Sequence, residues 1–420
     1  MRRGGARGQA GAVRPAGAVL LAGVLLAGCA GGEAEAPAPG QGSVAAGASV
    51  PSTTDGAPEP TTPTTGASAA PSAAAAAPEP EPTTTARAAA SGVPDPAGVT
   101  DVVTGLAVPW DLAFLPDGSA LVTLRDEARV LRVTADGSVT PLAADGPDGR
   151  VAGVVPGGEG GLLGITTDAT AGSVFVYLSG ADDNRVVRYA LDQAAGTLSA
   201  PVPVVTGIPR SEVHNGGRLD LGPDGMLYVA TGDARDRDAA PDPASLAGKI
   251  LRVTPDGAPA PGNPDPASPV WSSGHRNVQG LGWSADGTMW AGEFGQDTTD
   301  ELNVVRPGAD HGWPEVEGAG GVPGLTDPVV TWRTDDASPS GIAVTDDAVY
   351  LAALRGQRLW RVPVGPGGTV TGEPQVALDG LGRLRHVEVA PDGALWVLTS
   401  NTFRGDPREG DDRVVRVPLR

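Results

Sequence analysis

Beyond about residue 99, short segments in which apolar and polar side chains alternate recur along the chain. Such alternation is typical of β-strands that bury one face. Six segments share a form in which apolar residues alternate with charged ones, and they begin 52 to 64 residues apart: RVLRV at 129, RVVRY at 185, KILRV at 249, ELNVV at 301, RLWRV at 358 and RVVRV at 413. No segment has the 3.6-residue apolar period of a long helix. The pattern therefore predicts an all-β chain built from a repeated unit.

Each unit contains two further predicted strands before the charged one. The nearer strand is more apolar and covers residues 120–124, 174–178, 226–231, 288–293, 349–354 and 395–400. The earlier strands are WDLAF, LLGIT, GRLDL, GLGW, SGIAV and RHVEV. Four of them reach the next strand through an Asp-Gly pair, which is a strong hairpin signal. Three successive strands, six times over, predict a six-bladed β-propeller with four-stranded antiparallel blades.

The two ends of the chain indicate how the ring closes. Arg420 directly follows the third strand of the sixth unit, so that blade lacks an outer strand. Residues 99–103 have the pattern to supply it from the N-terminal side. Because this arrangement removes an exposed edge, we expect an N-terminal strand to close the last blade.

The first 97 residues differ in composition from the rest. An arginine-containing segment precedes an apolar run at 16–26, which ends in Leu-Ala-Gly-Cys and resembles the bacterial lipobox. We interpret 1–28 as a lipoprotein signal peptide and Cys29 as the acylated N-terminus; a chance cysteine at an ordinary cleavage site is the alternative. Residues 29–97 are rich in Ala, Pro and Thr, which predicts a disordered tether. The folded domain would then span 98–420, outside the cytoplasm and lipid-anchored to the cell membrane.

The charge of the chain narrows its partners. The formal net charge of −20 argues against binding of nucleic acid, or of an anionic membrane surface, through basic patches. Any membrane association would therefore depend on the lipid anchor alone. Cys29 is the only cysteine in the sequence, so the mature domain can form no internal disulfide.

Polar, glycine-rich segments recur at comparable places in the units, and propeller topology would bring them to one mouth of the central channel. One of them contains His214. Residues 213–233 are interpreted as strand, tight turn and strand, which puts His214 and Asp233 at the same end of a hairpin. There an aspartate can orient an imidazole for proton abstraction. The alternative is that His214 merely satisfies a loop.

Charged residues suggest two ligand types at this mouth. The acidic loop with Asp297, Asp300 and Glu301 suits a hard cation such as Ca²⁺, although a solvated acidic loop is the alternative and the spacing is not that of an EF-hand. Several arginines of the glycine-rich segments would converge on the same mouth and imply an anionic ligand: Arg276, Arg355, Arg383 and Arg385.

Together these motifs resemble the soluble PQQ-dependent glucose/sorbosone (aldose sugar) dehydrogenases. The resemblance covers the chain from about Val99 onward and rests on ten motifs in order: VPWDLAFLPDG, GGLLGI, HNGGRLDLGPDG, TGD, LAGKILR, GHRNVQGL, DELN, HGWP, SPSG and GRLR. It implies a propeller that binds PQQ over a Ca²⁺ ion and oxidises aldoses at C1 to lactones. The electrons would pass to an external quinone, cytochrome or dye.

The resemblance also implies roles for single residues. His214 would be the general base that removes the C1 hydroxyl proton while hydride passes to the quinone. Asp233 would orient His214, and Arg276 would stabilise charge on the quinone oxygens. Two backbone carbonyls would bind the catalytic Ca²⁺, those of Gly295 and Gln296. Two carboxylates match a second, structural Ca²⁺ site, those of Asp300 and Glu301.

Further positions match cofactor and sugar contacts. The cofactor positions are Glu159, Asn277, Arg355, Arg383 and Arg385, and Trp332 would wall the sugar. Glu159 departs from the glucose-oxidising branch, which has a glutamine there. A carboxylate beside an anionic quinone is unfavourable unless Arg355 or the cation neutralises it.

Two other functions remain open on the sequence. A Ca²⁺-dependent lactonase of propeller type would need a central metal walled by carboxylates and no arginine cluster. A non-catalytic sugar-binding propeller would leave the pairing of His214 with Asp233 without a purpose.

Overall fold

The structure, a computed structural model, describes residues 91–420. The predicted signal peptide, Cys29 and the tether up to residue 90 lie outside the described residues. Within 91–420 the helical segments are four single 3₁₀ turns, at Pro96–Gly98, Pro147–Gly149, Arg237–Ala239 and Pro366–Gly368. None of the helices in this part of the chain is long and apolar enough to cross a membrane.

The strands form six antiparallel sheets, which are the blades and are numbered in chain order. The first strand, β1 (Thr100–Val103), belongs to the last blade. Blade 1 contains β2 (Pro109–Phe114), β3 (Ala120–Leu124), β4 (Arg129–Val133) and β5 (Val139–Pro141). Blade 2 contains β6 (Leu162–Thr167), β7 (Ser173–Ser179), β8 (Asn184–Asp192) and β9 (Thr197–Ile208). Blade 3 contains β10 (Leu219–Leu221), β11 (Leu227–Ala230), β12 (Ile250–Val253) and β13 (Val270–Ser272).

The other three blades complete the set. Blade 4 contains β14 (Val278–Trp283), β15 (Met289–Glu293), β16 (Thr299–Val305) and β17 (Val330–Arg333). Blade 5 contains β18 (Pro339–Val344), β19 (Ala348–Ala353), β20 (Arg358–Gly365), β21 (Thr369–Val370) and β22 (Gln375–Asp379). Blade 6 contains β23 (Leu384–Val389), β24 (Leu395–Thr399) and β25 (Val414–Val417), with β1 outside them.

The innermost strands of the blades contact one another in cyclic order. The contacts run from β2 through β6, β10, β14, β18 and β23 and back to β2. Apolar side chains fill the space between neighbouring blades; Phe114 of blade 1, for example, meets Trp396 of blade 6 edge to face, with ring centroids 5.0 Å apart. The predicted six-bladed propeller is therefore confirmed.

The predicted closure by an N-terminal strand is also confirmed. Strand β1 pairs antiparallel with β25, with Thr100 opposite Arg416 and Asp101 opposite Val415. The pairing extends upstream, because Asp95 donates its N–H to the Pro418 carbonyl at 2.8 Å and Val93 exchanges hydrogen bonds with Arg420. The paired chain thus begins a few residues before the predicted domain boundary at 98.

The four Asp-Gly pairs form one repeated turn between the first and second strands of blades 1, 3, 4 and 6. In blade 1, the Gly118 N–H bonds to the Leu115 carbonyl at 2.9 Å, and Gly118 has a φ of 84°. The Asp117 carboxylate accepts the Ser119 N–H at 3.0 Å. Aspartate caps the free N–H and glycine adopts the left-handed conformation, which explains why this pair recurs.

Candidate active site

A cavity of about 470 Å³ opens at one end of the ring. Its walls come from loops that precede the innermost strands and from loops that join the second and third strands of the blades. Most of the predicted site residues line it: Glu159, His214, Arg276, Asn277, Gly295, Gln296, Asp300, Arg355, Arg383 and Arg385. Residues separated by more than half of the folded chain therefore share one cavity.

His214 lines the cavity and is in direct contact with Asp233, which lies behind it. The imidazole Nδ1 lies 2.8 Å from Asp233 Oδ1. Because an ionised carboxylate can only accept, this contact places the proton on Nδ1 and leaves Nε2 as an acceptor. The strand–turn–strand geometry predicted for residues 213–233 holds, since β10 and β11 pair between the two residues.

The Asp233 carboxylate is buried and held by two further groups. Oδ2 accepts the indole N–H of Trp313 at 3.0 Å, and Oδ1 also accepts the Arg235 N–H at 2.8 Å. Burial alone would raise the pKa of Asp233, but the hydrogen bonds from His214, Arg235 and Trp313 hold that pKa below its usual value. Asp233 therefore stays ionised and can orient the imidazole at neutral pH.

Arg276 completes the group around the imidazole. Its Nη2 lies 3.0 Å from His214 Nε2. A guanidinium can only donate, so Nε2 accepts, in agreement with the tautomer that Asp233 imposes. The guanidinium also faces the Trp313 ring, with its central carbon 5.6 Å from the ring centroid.

Glu159 has a charge partner that the sequence did not indicate. Its Oε1 pairs with Arg404 at 2.7 Å, and its Oε2 accepts the His214 backbone N–H at 3.1 Å. Arg355, one of the two groups considered for neutralising Glu159, instead pairs with Asp335 at 2.5 Å. Glu159 thus fixes the loop that carries His214.

Two arginines of blade 6 face the cavity without an acidic partner. Within residues 91–420, neither Arg383 nor Arg385 forms a salt bridge, and the buried Nε atom of each has no hydrogen-bond partner. Arg385 donates only to Gln279 and Ser340, at 2.8 and 3.3 Å. Burial lowers the pKa of Arg385 to about 9, with further lowering from Arg125 and Arg383. These charges are costly as they stand, and an anion in the cavity would relieve that cost.

Asn277 connects two blades at the cavity wall. Its buried side-chain oxygen accepts the Gly216 N–H at 3.0 Å, and its backbone forms an isolated bridge with Gly232. The residue therefore sets the spacing between the His214 loop and blade 4. Its position on the lining agrees with the cofactor contact that the resemblance implies.

The predicted metal ligands divide into two groups. Gly295 and Gln296 line the cavity. Asp300 lies at its edge and ties loops together, accepting N–H groups of Gly295 at 3.0 Å and Ser338 at 2.6 Å. Glu301 lies behind the wall and accepts from Asn303 and Gly318. Burial raises the pKa of Asp300 to about 6. Burial, together with the nearby Glu293 charge, raises the pKa of Glu301 to about 7.

Carboxylate and imidazole groups alone do not form a metal site here. In the part of the chain that the structure describes, no three His, Cys, Asp or Glu side chains are grouped to hold an ion. A cation at the cavity would take its oxygens from backbone carbonyls and from a bound cofactor.

The placement of Trp332 in the sugar site is wrong. Trp332 lies on β17, the outer strand of blade 4, and is buried against Trp360 with ring centroids 5.9 Å apart. It is paired with Asp300 across the sheet but does not line the cavity. The side chain stabilises the contact between blades 4 and 5.

Several lining residues were not singled out from the sequence. Arg125 is held by Asp126 and lies over the Phe403 ring at 3.8 Å. Arg404 and Trp110 also line the cavity. Trp110 lies within a motif of the resemblance, whereas Arg125 and Arg404 carry no local signal and are recognisable only once the ring is formed.

Residues 106–405 match the family described as glucose/sorbosone dehydrogenase. The chain belongs to this family. An aldose sugar dehydrogenase from Escherichia coli is 30% identical over 334 residues, which are 70% of this chain and 87% of that protein. The family is thus one of sugar oxidoreductases, and membership makes this chain such an enzyme.

Solved structures in the family share the fold. The PQQ-bound form of an aldose sugar dehydrogenase from Streptomyces coelicolor is 49% identical, with 79% of this chain and 100% of that chain covered and a TM-score of 0.74. The soluble aldose sugar dehydrogenase from Escherichia coli in its apo form is 27% identical, with 77% and 99% covered and a TM-score of 0.67.

Proposed function

We propose that the protein oxidises aldose sugars at C1 to lactones, with PQQ as the electron acceptor and Ca²⁺ beside it. The observation that carries the proposal is the His214–Asp233 pair, which shares one cavity with arginines that have no acidic partner. Membership in the glucose/sorbosone dehydrogenase family supports the reaction class. The PQQ bound to the Streptomyces coelicolor relative supports the cofactor.

The cavity fits an anionic quinone. Six arginines line it against two carboxylates, those of Glu159 and Asp300. The unpartnered Nε atoms of Arg383 and Arg385 are buried donors that carboxylates of the cofactor would satisfy. When bound, PQQ accepts the hydride of C1 and Ca²⁺ polarises its quinone as a Lewis acid. The Gly295 and Gln296 carbonyls would hold that cation, while Asp300 and Glu301 remain candidates for a structural one.

Residues of the chain itself accept the proton that the sugar loses. His214 Nε2 accepts the proton of the C1 hydroxyl, and Asp233 stabilises the imidazolium that forms. Arg276 now donates to Nε2, so it must release that nitrogen when the hydroxyl approaches. Its guanidinium then lies beside the position where negative charge develops. The hydroxyl oxygen on C1 gives its proton to His214 and C1 gives up its hydrogen as hydride, so the sugar loses two electrons and becomes the lactone.

Neither alternative function is favoured by a specific contact. The lactonase needed a metal walled by carboxylates, and the donor set within 91–420 does not provide one. A purely sugar-binding propeller does not account for a buried Asp233 carboxylate hydrogen-bonded to an imidazole that lines the cavity.

The test is reconstitution of the full chain. With PQQ, Ca²⁺ and an aldose, we expect dye reduction, and His214→Ala should lower turnover about 10³-fold while PQQ still binds. PQQ binding followed by absorbance separates loss of the base from loss of the cofactor. Failure of every aldose in a panel to give PQQ-dependent dye reduction would remove the proposal.

We also propose that Cys29 carries a lipid that anchors the enzyme outside the cytoplasm. The support is the leader sequence, with its arginines, short apolar run and lipobox-like end. Mass spectrometry of the N-terminal peptide from the membrane fraction tests this, and an unmodified cysteine would contradict it. The external electron acceptor would then be a quinone or cytochrome at the same membrane.

A further inference from the structure

One carboxylate oxygen of Glu317 accepts four successive backbone N–H groups. The donors are residues Gln296 to Thr299, with N···O distances of 2.7, 2.9, 2.9 and 3.1 Å in chain order. Glu317 belongs to the loop between β16 and β17, so the contact joins two loops of blade 4. Glu317 does not line the cavity, whereas Gly295 and Gln296 do. The carboxylate therefore lies behind the loop that forms the cavity wall.

The planar geometry of the peptide group means that these hydrogen bonds also fix the direction of the carbonyl groups in the loop. In a trans peptide the N–H and the preceding C=O point in opposite directions. The described chain has cis peptides only at Trp313–Pro314 and Asp411–Asp412, so the peptides of this loop are trans. Since the Gln296 and Asp297 N–H groups point at Glu317, the Gly295 and Gln296 carbonyls point away from it.

Gly295 shows how tightly this arrangement is packed. A Cβ at this position would lie 1.7 Å from the Thr299 carbonyl oxygen and 2.8 Å from Glu317 Oε1. Its N–H is already bound by Asp300 at 3.0 Å. The loop is thus folded around the Glu317 oxygen, with Asp300 fixing its first residue.

We propose that Glu317 is a positioning residue for the cation: it holds the loop so that the Gly295 and Gln296 carbonyls face the cavity. The inference deepens the proposed function and rests on its assignment of Ca²⁺ to these carbonyls. Glu317 touches neither cation nor substrate. Glu317 would orient the Gly295 and Gln296 carbonyls before the cation binds, so that no entropy is lost in ordering them during binding.

The experiment compares the parent chain with Glu317→Gln, and with Glu315→Gln as a matched control. Glu315 lies two residues away on the same loop, and its side chain is exposed. Protein treated with a chelator is dialysed against fixed PQQ and increasing Ca²⁺, and bound PQQ is read by absorbance. We expect Glu317→Gln to need about tenfold more Ca²⁺ for half-maximal PQQ binding, and Glu315→Gln to match the parent.

Unfolding temperatures in chelator and in Ca²⁺ separate positioning from a merely structural role. Positioning predicts that Glu317→Gln loses most of the stabilisation that Ca²⁺ gives the parent. An unchanged Ca²⁺ midpoint for folded Glu317→Gln would overturn the inference while leaving the proposed function intact. A parent chain that binds PQQ without Ca²⁺ would overturn both the cation assignment and this role. If Glu317→Gln does not fold, Glu317→Asp, which keeps the charge but shortens the reach to the four N–H groups, must raise the midpoint or the inference fails.

Discussion

The backbone and both ring nitrogens of His214 are each held by a different residue. Its φ of 58° is unusual for a residue with a side chain, and the Glu159 carboxylate fixes that conformation through the backbone N–H. Asp233 holds Nδ1 and Arg276 holds Nε2. Hydrogen bonds at both ring nitrogens therefore fix the orientation of the imidazole at the cavity wall.

The indole of Trp313 is expected to act on the base through Asp233. Trp313→Phe removes the N–H that Asp233 Oδ2 accepts, so the pKa of Asp233 should rise towards its usual value, since that hydrogen bond stabilises the ionised carboxylate. Because the folded pKa of Asp233 is now depressed, its contribution is present at neutral pH and is lost as pH falls through that pKa. Turnover near pH 7 should change little because Asp233 stays ionised there, and on the acid side activity should be lost at a higher pH than in the parent.

Trp360→Phe is the matched control for that substitution. Trp360 also donates an indole N–H, to the Asp336 carbonyl at 3.0 Å, but it packs in blade 5 away from the cavity. Steady-state kinetics from about pH 3 to pH 9 should leave the profile of this variant unchanged. Equal profiles for the two variants would show that the Trp313 contact with Asp233 does not tune the site.

Single site residues could be predicted from the sequence where few residues of the required chemical type lie close together along the chain. A histidine and an aspartate flanking one hairpin are identifiable because the turn between them is local. Arg404 and Glu317 are not, because their partners Glu159 and Gln296 lie far along the chain or in another loop. Trp332 failed for a related reason: its position along the chain is near the site, but its strand is the outer one of blade 4.

At the scale of the element, a strand could be predicted from the sequence when it buries apolar side chains. The three inner strands of each blade bury alternate or all side chains, so their apolar pattern marks them; β3 and β4 match the predicted residues. The fourth strands carry little pattern. Strand β5 is exposed at all three residues and the three-residue β13 buries only the polar Ser272, so neither shows an apolar alternation in the sequence. Their positions follow from pairing with the third strand of each blade.

Two glycines of blade 3 should respond differently to the same substitution. A Cβ on Gly232 would lie 1.9 Å from the His214 carbonyl oxygen, whereas Gly225, in the Asp-Gly turn at φ 73°, has open space around it. Gly232→Ala should displace the His214 backbone and lower turnover about 10²-fold, the effect of a shift of about 1 Å at a reacting group. Gly225→Ala should cost about 1 kcal/mol of unfolding free energy for its left-handed backbone, with turnover unchanged.

Turnover and denaturant unfolding of the two variants provide the measurement. Loss of activity in both variants, in proportion to their lost stability, would mean that the His214 loop has no special sensitivity to Gly232.

At the scale of the whole molecule, charge is distributed unevenly. The chain carries a net charge of −20, yet its central cavity is lined by six arginines and two carboxylates. Collecting positive charge where a ligand binds requires residues from several blades, so the site exists only in the closed ring. Activity should therefore depend on ring closure even though β1 is remote from the cavity.

That dependence can be measured with three shortened chains that begin at residues 91, 99 and 104. The first keeps every described contact, the second loses the pairing of residues 92–98 with the C-terminal residues, and the third also loses β1.

Removing β1 exposes the edge of β25 and uncovers apolar contacts of Val102 and Val103. We expect the chain from 104 to unfold at least about 10 °C below the chain from 91, to aggregate and to lose PQQ binding, since several kcal/mol of burial are lost. The chain from 99 should lie much closer to the chain from 91. Equal unfolding temperatures for the chains from 91 and 104 would show that five blades and an open sixth hold the cavity together without the N-terminal strand.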